Sequence, residues 1–386
     1  MCSSQSSPFI AVVLISLCLA LTNACSPQVS TPAPIQPTSI PVLSTITLSP
    51  PTVPPRPTAS ATEEVIELNP SPRGYVSMAY DSESKQVILF GGQTGDVTNP
   101  ANFSDETWAY DVATNAWKNM KTPLAPKSGG AGSLVYDVES DRVILFGNAR
   151  GLFPSGDTWA YDFNSNTWTQ MAAKGPIHRL GVRMAYDIES DRFISFGGYN
   201  ANRDEMYQDT WAYDFNSDTW TEMKPVPNPP GQNFHAMTYD TKADRVILWG
   251  GDTETGSSRP PKDPSVWAYD FNSNTWEQKK ASDGPGARSY STIAYDIESD
   301  LIISYGGYSV GSHEMWAYDF NKNAWKKLEP DIHPGNLSRH AFSYIPDMDR
   351  FILFGGQLGS DQFSYTQSTW IYDLNSNTWI ETTQHP

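Results

Sequence analysis

One motif recurs six times along this 386-residue chain, and nothing else in the sequence narrows the possible folds as far. Its fullest copy runs from Tyr186-Asp187 through Phe196-Gly197-Gly198 to Trp211-Ala212-Tyr213-Asp214 and closes at Trp220. The closing tryptophans Trp117, Trp168, Trp220, Trp276, Trp325 and Trp379 follow one another at intervals of about fifty residues. A unit repeated at that period is one supersecondary element, and it buries its apolar faces only against its neighbours.

Each copy divides into four short strand candidates. The first ends at Tyr80, Tyr136, Tyr186, Tyr239, Tyr295 or Tyr344, usually followed by Asp and a polar turn such as DIESDR. The second is a solid apolar run such as Val143-Ile144-Leu145-Phe146, the pattern of a strand covered on both faces. It ends in Gly-Gly, or Gly147-Asn148 in the second copy, where positive φ lets the chain turn sharply. The third, TWAYD, alternates Trp159 and Tyr161 against Thr158 and Ala160. A turn such as NSNT, whose Asn and Ser side chains bond nearby backbone, leads to a fourth strand at the closing Trp. The 13 Trp, 19 Tyr, 27 Gly and 30 Pro suit many short strands joined by tight turns, an all-β chain.

The order Tyr-Asp, apolar run, Gly-Gly, Trp-Ala-Tyr-Asp, Trp closely resembles the kelch repeat, and the resemblance covers Arg73 to about Glu381. It implies a six-bladed β-propeller with four antiparallel strands per blade. WD40 repeats are excluded by the absent closing Trp-Asp dipeptide and the longer period, and the sialidase Asp box by the missing Gly in FNSNTW. Blades are expected at about 71–120, 121–171, 172–223, 224–279, 280–328 and 329–383 within a propeller spanning 63–386. Closure needs no strand exchange, yet residues 64–68 resemble the tail of a fourth strand that would pair with the last blade, and both closures stay open.

Ahead of the repeats, Phe9 to Leu21 is a near-apolar run of signal-peptide length, too short to span a bilayer, although the flanking residues lack Lys or Arg. It ends in LTNACS, which resembles a bacterial lipoprotein cleavage box. Residues 1–24 are then the signal peptide and Cys25 the lipidated residue, with plain secretion as the alternative; either way the chain is expected at the cell envelope, at the cell surface or outside the cell. Residues 25–62 read as a tether rich in Pro, Thr and Ser, unable to bury a core.

The formal charge of −17 repels phosphate backbones and anionic lipid, so nucleic acid is not an expected partner and membrane contact is expected only through the Cys25 anchor. Cys2, Cys18 and Cys25 all precede the repeats, which leaves them without a disulfide or a catalytic thiol. The copper chemistry of the kelch enzyme galactose oxidase, which needs a cysteine, is therefore closed to them. No cofactor and no metal are expected, since the histidines lack ligand spacing. Gly307-Tyr308-Ser309-Val310-Gly311 matches a nucleophile elbow in letters only, because a strand rather than a helix follows. The chain is expected to act as a monomer.

Function is expected where the copies differ, in the loops. The resemblance places two loop sets around one mouth of the central channel: those between second and third strands, and those leading into first strands. The latter carry Arg73, Arg179, Arg288 and Arg339 with His235 and His340. They would either form an anion site or bond backbone carbonyls of the adjoining blade. Tyr207 and Tyr365, with Phe153 and Phe363, are loop aromatics able to stack on a sugar or a protein. The reading favoured is a non-catalytic binding module for a glycan or protein. The alternative is an enzyme similar to the bacterial kelch mutarotases of sialic acid, with Glu205, Glu314 or His235 moving protons beside the arginines. A purely structural propeller stays open as a third.

Overall fold

The fold follows from where each repeat can hide its strands. In the computed structural model the described residues are 69–382 apart from 97–98, 128, 148, 151–152, 178, 254–263, 282, 309–312 and 362. The signal and tether segments, Cys25, residues 64–68 and His178 lie outside them. The tether and the repeats separate as two units, 1–63 and 64–386, and only the second is described here.

Every repeat is one antiparallel sheet with its four strands in sequence order. In the first blade these are Ser77–Asp81, Gln86–Phe90, Thr107–Asp111 and Ala116–Asn119. In the third they are Arg183–Asp187, Arg192–Phe196, Thr210–Asp214 and Thr219–Glu222. The solid apolar runs are buried as their pattern requires: Val87, Ile88 and Leu89 are all fully enclosed. The third strands are covered on both faces as well, with Tyr110, Tyr161, Tyr213, Tyr269, Tyr318 and Tyr372 inaccessible. The second blade extends past the expected boundary at 171, because its fourth strand, Thr167–Lys174, carries a register shift between Gln170 and Lys174.

The hairpins are fixed by a lock that couples strand to turn. The last turn residue is left-handed, as at Asp191 (φ 53°) and Asn166 (φ 55°), and the Tyr five residues earlier donates its hydroxyl to that side chain. Meanwhile the Asp after the Tyr accepts turn amides, as Asp162 does from Ser165. This explains why Tyr and Asp travel together in both the first and the third strand.

First strands of successive blades touch in turn, and that of the sixth, Ala341–Ile345, touches that of the first, so the ring is closed. No strand is exchanged among the described residues. The seam between the last and first blades is held by side chains instead. Trp117 Nε1 donates to Thr369 Oγ1 at 2.9 Å, the Tyr80 hydroxyl donates to Asp347, and Lys85 pairs with Asp347 at 2.6 Å. The same Trp-to-Thr latch joins Trp168 to Thr107 and Trp276 to Thr210, one blade back each time.

Candidate functional site

The loops entering the first strands sit at one mouth of the ring, and their positions align from repeat to repeat. Seven residues before the Tyr stand Arg73, Arg179 and Arg288 in alternate blades, with Gly129, Gln232 and Leu337 between them. Each of the three arginines is pinned to an acid and a carbonyl of its own blade. Arg73 Nη1 donates to the Gly91 carbonyl at 3.1 Å and Nη2 to Glu106 at 2.7 Å. Arg179 grips Asp209 through both nitrogens, at 2.5 and 2.6 Å, and donates to the Gly197 carbonyl. Arg288 pairs with Glu314 and donates to the Gly306 carbonyl. In all three the acid also accepts from the tryptophan of TWAYD or MWAYD: Trp108, Trp211 or Trp316.

The contact with the neighbouring blade is made by backbone. In four blades the second glycine of the pair donates its N–H to the carbonyl of the residue seven before the next blade's Tyr: Gly356 to Arg73, Gly251 to Arg288, Gly198 to Gln232 and Gly307 to Leu337. Gly251 and Gly356 have φ near 100°, and a Cβ on either would come within 2.8 Å of the Cβ of His235 or His340. Those two histidines are enclosed and pack edge-on against Phe196 and Tyr305. Burial pushes both imidazoles down to about 3, aided at His235 by the Arg183 charge, so neither holds a proton at neutral pH.

Arg339 differs from the other arginines because it stands five residues before its Tyr rather than seven. The six residues of that column, Tyr75, Ala131, Gly181, Phe234, Tyr290 and Arg339, all have positive φ and meet over the propeller axis. Their backbones form a ring of blade-to-blade hydrogen bonds: Tyr75 to Arg339, Ala131 to Tyr75, Phe234 to Gly181, Tyr290 to Phe234 and Arg339 to Tyr290. At the remaining link the Ala131 carbonyl accepts from Arg183 Nη1 at 3.0 Å. Phe234 stacks on Tyr290 with centroids 4.2 Å apart, and both meet the Tyr75 ring edge-on. This cluster stoppers the mouth.

The Arg339 guanidinium lies over two of those rings, 4.8 Å from Tyr75 and 4.4 Å from Tyr290, partly buried and without an ion pair among the described residues. Beside it Tyr365 packs on Gly74, so closely that a Cβ there would meet its ring at 2.6 Å, and burial pushes its hydroxyl up to about 12. Asp252 is the acid of this neighbourhood. Burial raises its carboxyl to about 6 against the opposing influence of Ser289 and Arg339.

Arg73, Arg179 and Arg288 are thus absorbed by the scaffold, His235 and His340 are core, and Arg339 and Tyr365 come together at the stoppered mouth. Tyr207 lies under the Arg179 guanidinium at 4.1 Å and accepts from Asn200. Glu314 is held below the usual carboxylate range: burial opposes ionisation, but bonds from Lys327, Arg288 and Trp316 outweigh it. Glu205 is exposed in a two-residue loop strand, and Phe363 is also exposed. Asp252, Tyr75 and Tyr290 were not legible as site residues, although the column five before each Tyr is conspicuous once the copies are aligned. Among the described residues no three His, Cys, Asp or Glu side chains are arranged to hold a metal ion.

The N-(sulfonatooxy)prop-2-enimidothioate sulfolyase of Thlaspi arvense is 27% identical to this chain over 150 residues, which is 36% of the chain and 41% of that protein. The chain therefore spans about two fifths of that relative's length. The family model described as the KLHDC2/KLHL20/DRC7 Kelch-repeats domain matches residues 58–240 and 185–386, together most of the sequence. With that match, six four-stranded blades and a closed ring of first strands, the chain belongs to the kelch-repeat family.

Proposed function

We propose that this kelch propeller is an exported, surface-tethered binding module that takes an acidic sugar residue of a glycan at its stoppered mouth. The observation that carries the reading is Arg339. In a strongly acidic domain, three of the four arginines singled out in the sequence are neutralised by Glu106, Asp209 and Glu314, and this one is not. A guanidinium held over Tyr75 and Tyr290 presents fixed donors to a carboxylate. The sulfolyase named above carries a sulfonatooxy group in its substrate's name, an anion of the kind such a site would also accept. An acidic protein segment is the other partner class with this chemistry.

Asp252 favours a second reading, a mutarotase-type enzyme. A carboxyl near 6 beside an anion-holding arginine could exchange a proton with a sugar hydroxyl near neutral pH. A screen of the purified protein against glycans and free sugar acids, repeated with Arg339→Ala and Asp252→Asn, tests both. The binding reading expects affinity that falls at least about tenfold in Arg339→Ala and survives in Asp252→Asn. Anomer exchange detected by NMR and abolished in Asp252→Asn would instead establish the enzyme. A folded protein that binds no acidic ligand would refute both.

A further inference from the structure

Beneath the stopper the propeller axis is hollow. A cavity of about 460 Å³ is walled by the first strands of all six blades, from Val76 at one end to Ser82 at the other. None of the six stopper residues lines it, so it is blind on that side. At the far end its wall includes Val138, Ile188 and Ile297, which are 49%, 47% and 40% exposed, and there it opens to solvent. A volume in this range is that of a small-molecule site.

Near the blind end a single cation enters the cavity. Arg183 begins the first strand of the third blade, where the other blades have Ser77, Ser133, Ala236, Thr292 and Ala341. Its Nη1 donates to the carbonyls of Ala131 and Val182, both at 3.0 Å. Among the described residues its Nε and Nη2 make no hydrogen bond and it has no ion pair. Burial lowers this guanidinium to about 10, so it still carries its charge at neutral pH, with no acidic side chain paired to it among the described residues. A partly buried charge with no acidic partner is costly, and a bound anion would relieve it.

We propose that this channel is a second ligand site, which takes an organic monocarboxylate with its carboxylate on the Nε–Nη2 edge of Arg183 and its apolar body toward the Val138, Ile188 and Ile297 rim. Two parallel donors on one edge match a carboxylate's two oxygens. Five residues of strand, roughly 16 Å, separate Arg183 from Ile188, which is room for a straight chain. Met184, Ile293 and Phe342 are among the apolar side chains in the wall. Behind the rim stand Asp137 and Asp296, each turned into its own hairpin to accept amides, and they disfavour a second negative charge at the ligand's outer end. The site is approached from the face opposite Arg339 and is independent of the glycan reading.

Titration calorimetry of the purified protein with octanoate tests this. The expected result is saturable binding, at least about tenfold weaker in Arg183→Gln, weaker for the dicarboxylate suberate, absent for octylamine and unchanged in Arg339→Gln. Ile188→Glu, at an exposed rim position, is expected to weaken binding without moving the melting temperature. It decides the matter should Arg183→Gln fail to fold. No saturable binding, binding indifferent to the changes at Arg183 and Ile188, loss of binding in Arg339→Gln, or a site that takes chloride but not octanoate would each overturn the proposal.

Discussion

Two arginines two positions apart in the repeat register have opposite environments, and their removal should separate them. Arg179 is buried and bidentate with Asp209, so Arg179→Ala leaves a largely buried carboxylate without its counter-charge and with the Trp211 indole as its remaining side-chain partner. We expect a loss of about 2–4 kcal/mol in urea denaturation. Arg339 has no ion pair to lose among the described residues, and Arg339→Ala, which gives up its contacts with two rings, should cost about 1 kcal/mol, less than Arg179→Ala. Equal losses would mean that the pins and the stopper arginine are not distinct. Protonation gives a second residue-scale prediction. The folded Asp252 holds its proton up to about pH 6, whereas unfolded it ionises near 3.8, so ionisation costs stability that is absent below 3.8 and fully felt above 6. Asp252→Asn should therefore raise stability at pH 7 relative to its effect at pH 4. His235 and His340 act on the same window from the other side. Their native imidazoles stay neutral down to about 3, so stability is complete above their unfolded value near 6.5 and declines as pH falls below it. Melting curves between pH 4 and 8 for the wild type and Asp252→Asn check both signs.

At the scale of the strand and blade, most of the architecture was legible before any coordinates. The solid apolar runs, the glycine pairs and the Trp-Ala-Tyr-Asp strands appear where the spacing put them, because each is a local pattern answering to one sheet. The couplings between blades were not legible. That a closing Trp donates to a Thr one blade back, or that a glycine N–H reaches the next entry loop, depends on residues some thirty or more positions apart meeting in space. The Trp117–Thr369 latch at the seam is the most telling of these. Thr369→Val keeps the shape and leaves the indole N–H buried without a partner, which should cost about 1–3 kcal/mol. Burial also grades the tryptophans. Trp108 is fully enclosed while Trp211 at the same repeat position is half-buried, so Trp108→Ala is expected to lose about 3–5 kcal/mol and Trp211→Ala less. Equal midpoint shifts in thermal melts would contradict that ranking.

For the molecule as a whole, ring closure makes the two mouths unlike. One carries six left-handed residues linked blade to blade and filled by Tyr75, Phe234, Tyr290 and Arg339; the other leaves the channel open between Val138, Ile188 and Ile297. The entry loops were legible as loops gathered at one mouth, but which of their arginines is drawn into an ion pair with its own blade was not. In sequence Arg73, Arg179, Arg288 and Arg339 differ by a register of two, and only the meeting of distant blades over the axis turns that register into burial or exposure. The measurement that tests this most directly is the NMR signal of the arginine side-chain Nε–H groups during titration with a sialic acid. The account predicts that the Arg339 signal moves in a saturable way while those of Arg73, Arg179 and Arg288 stay put. Movement at the three pins with Arg339 unaffected, or no movement at any of the four, would contradict it.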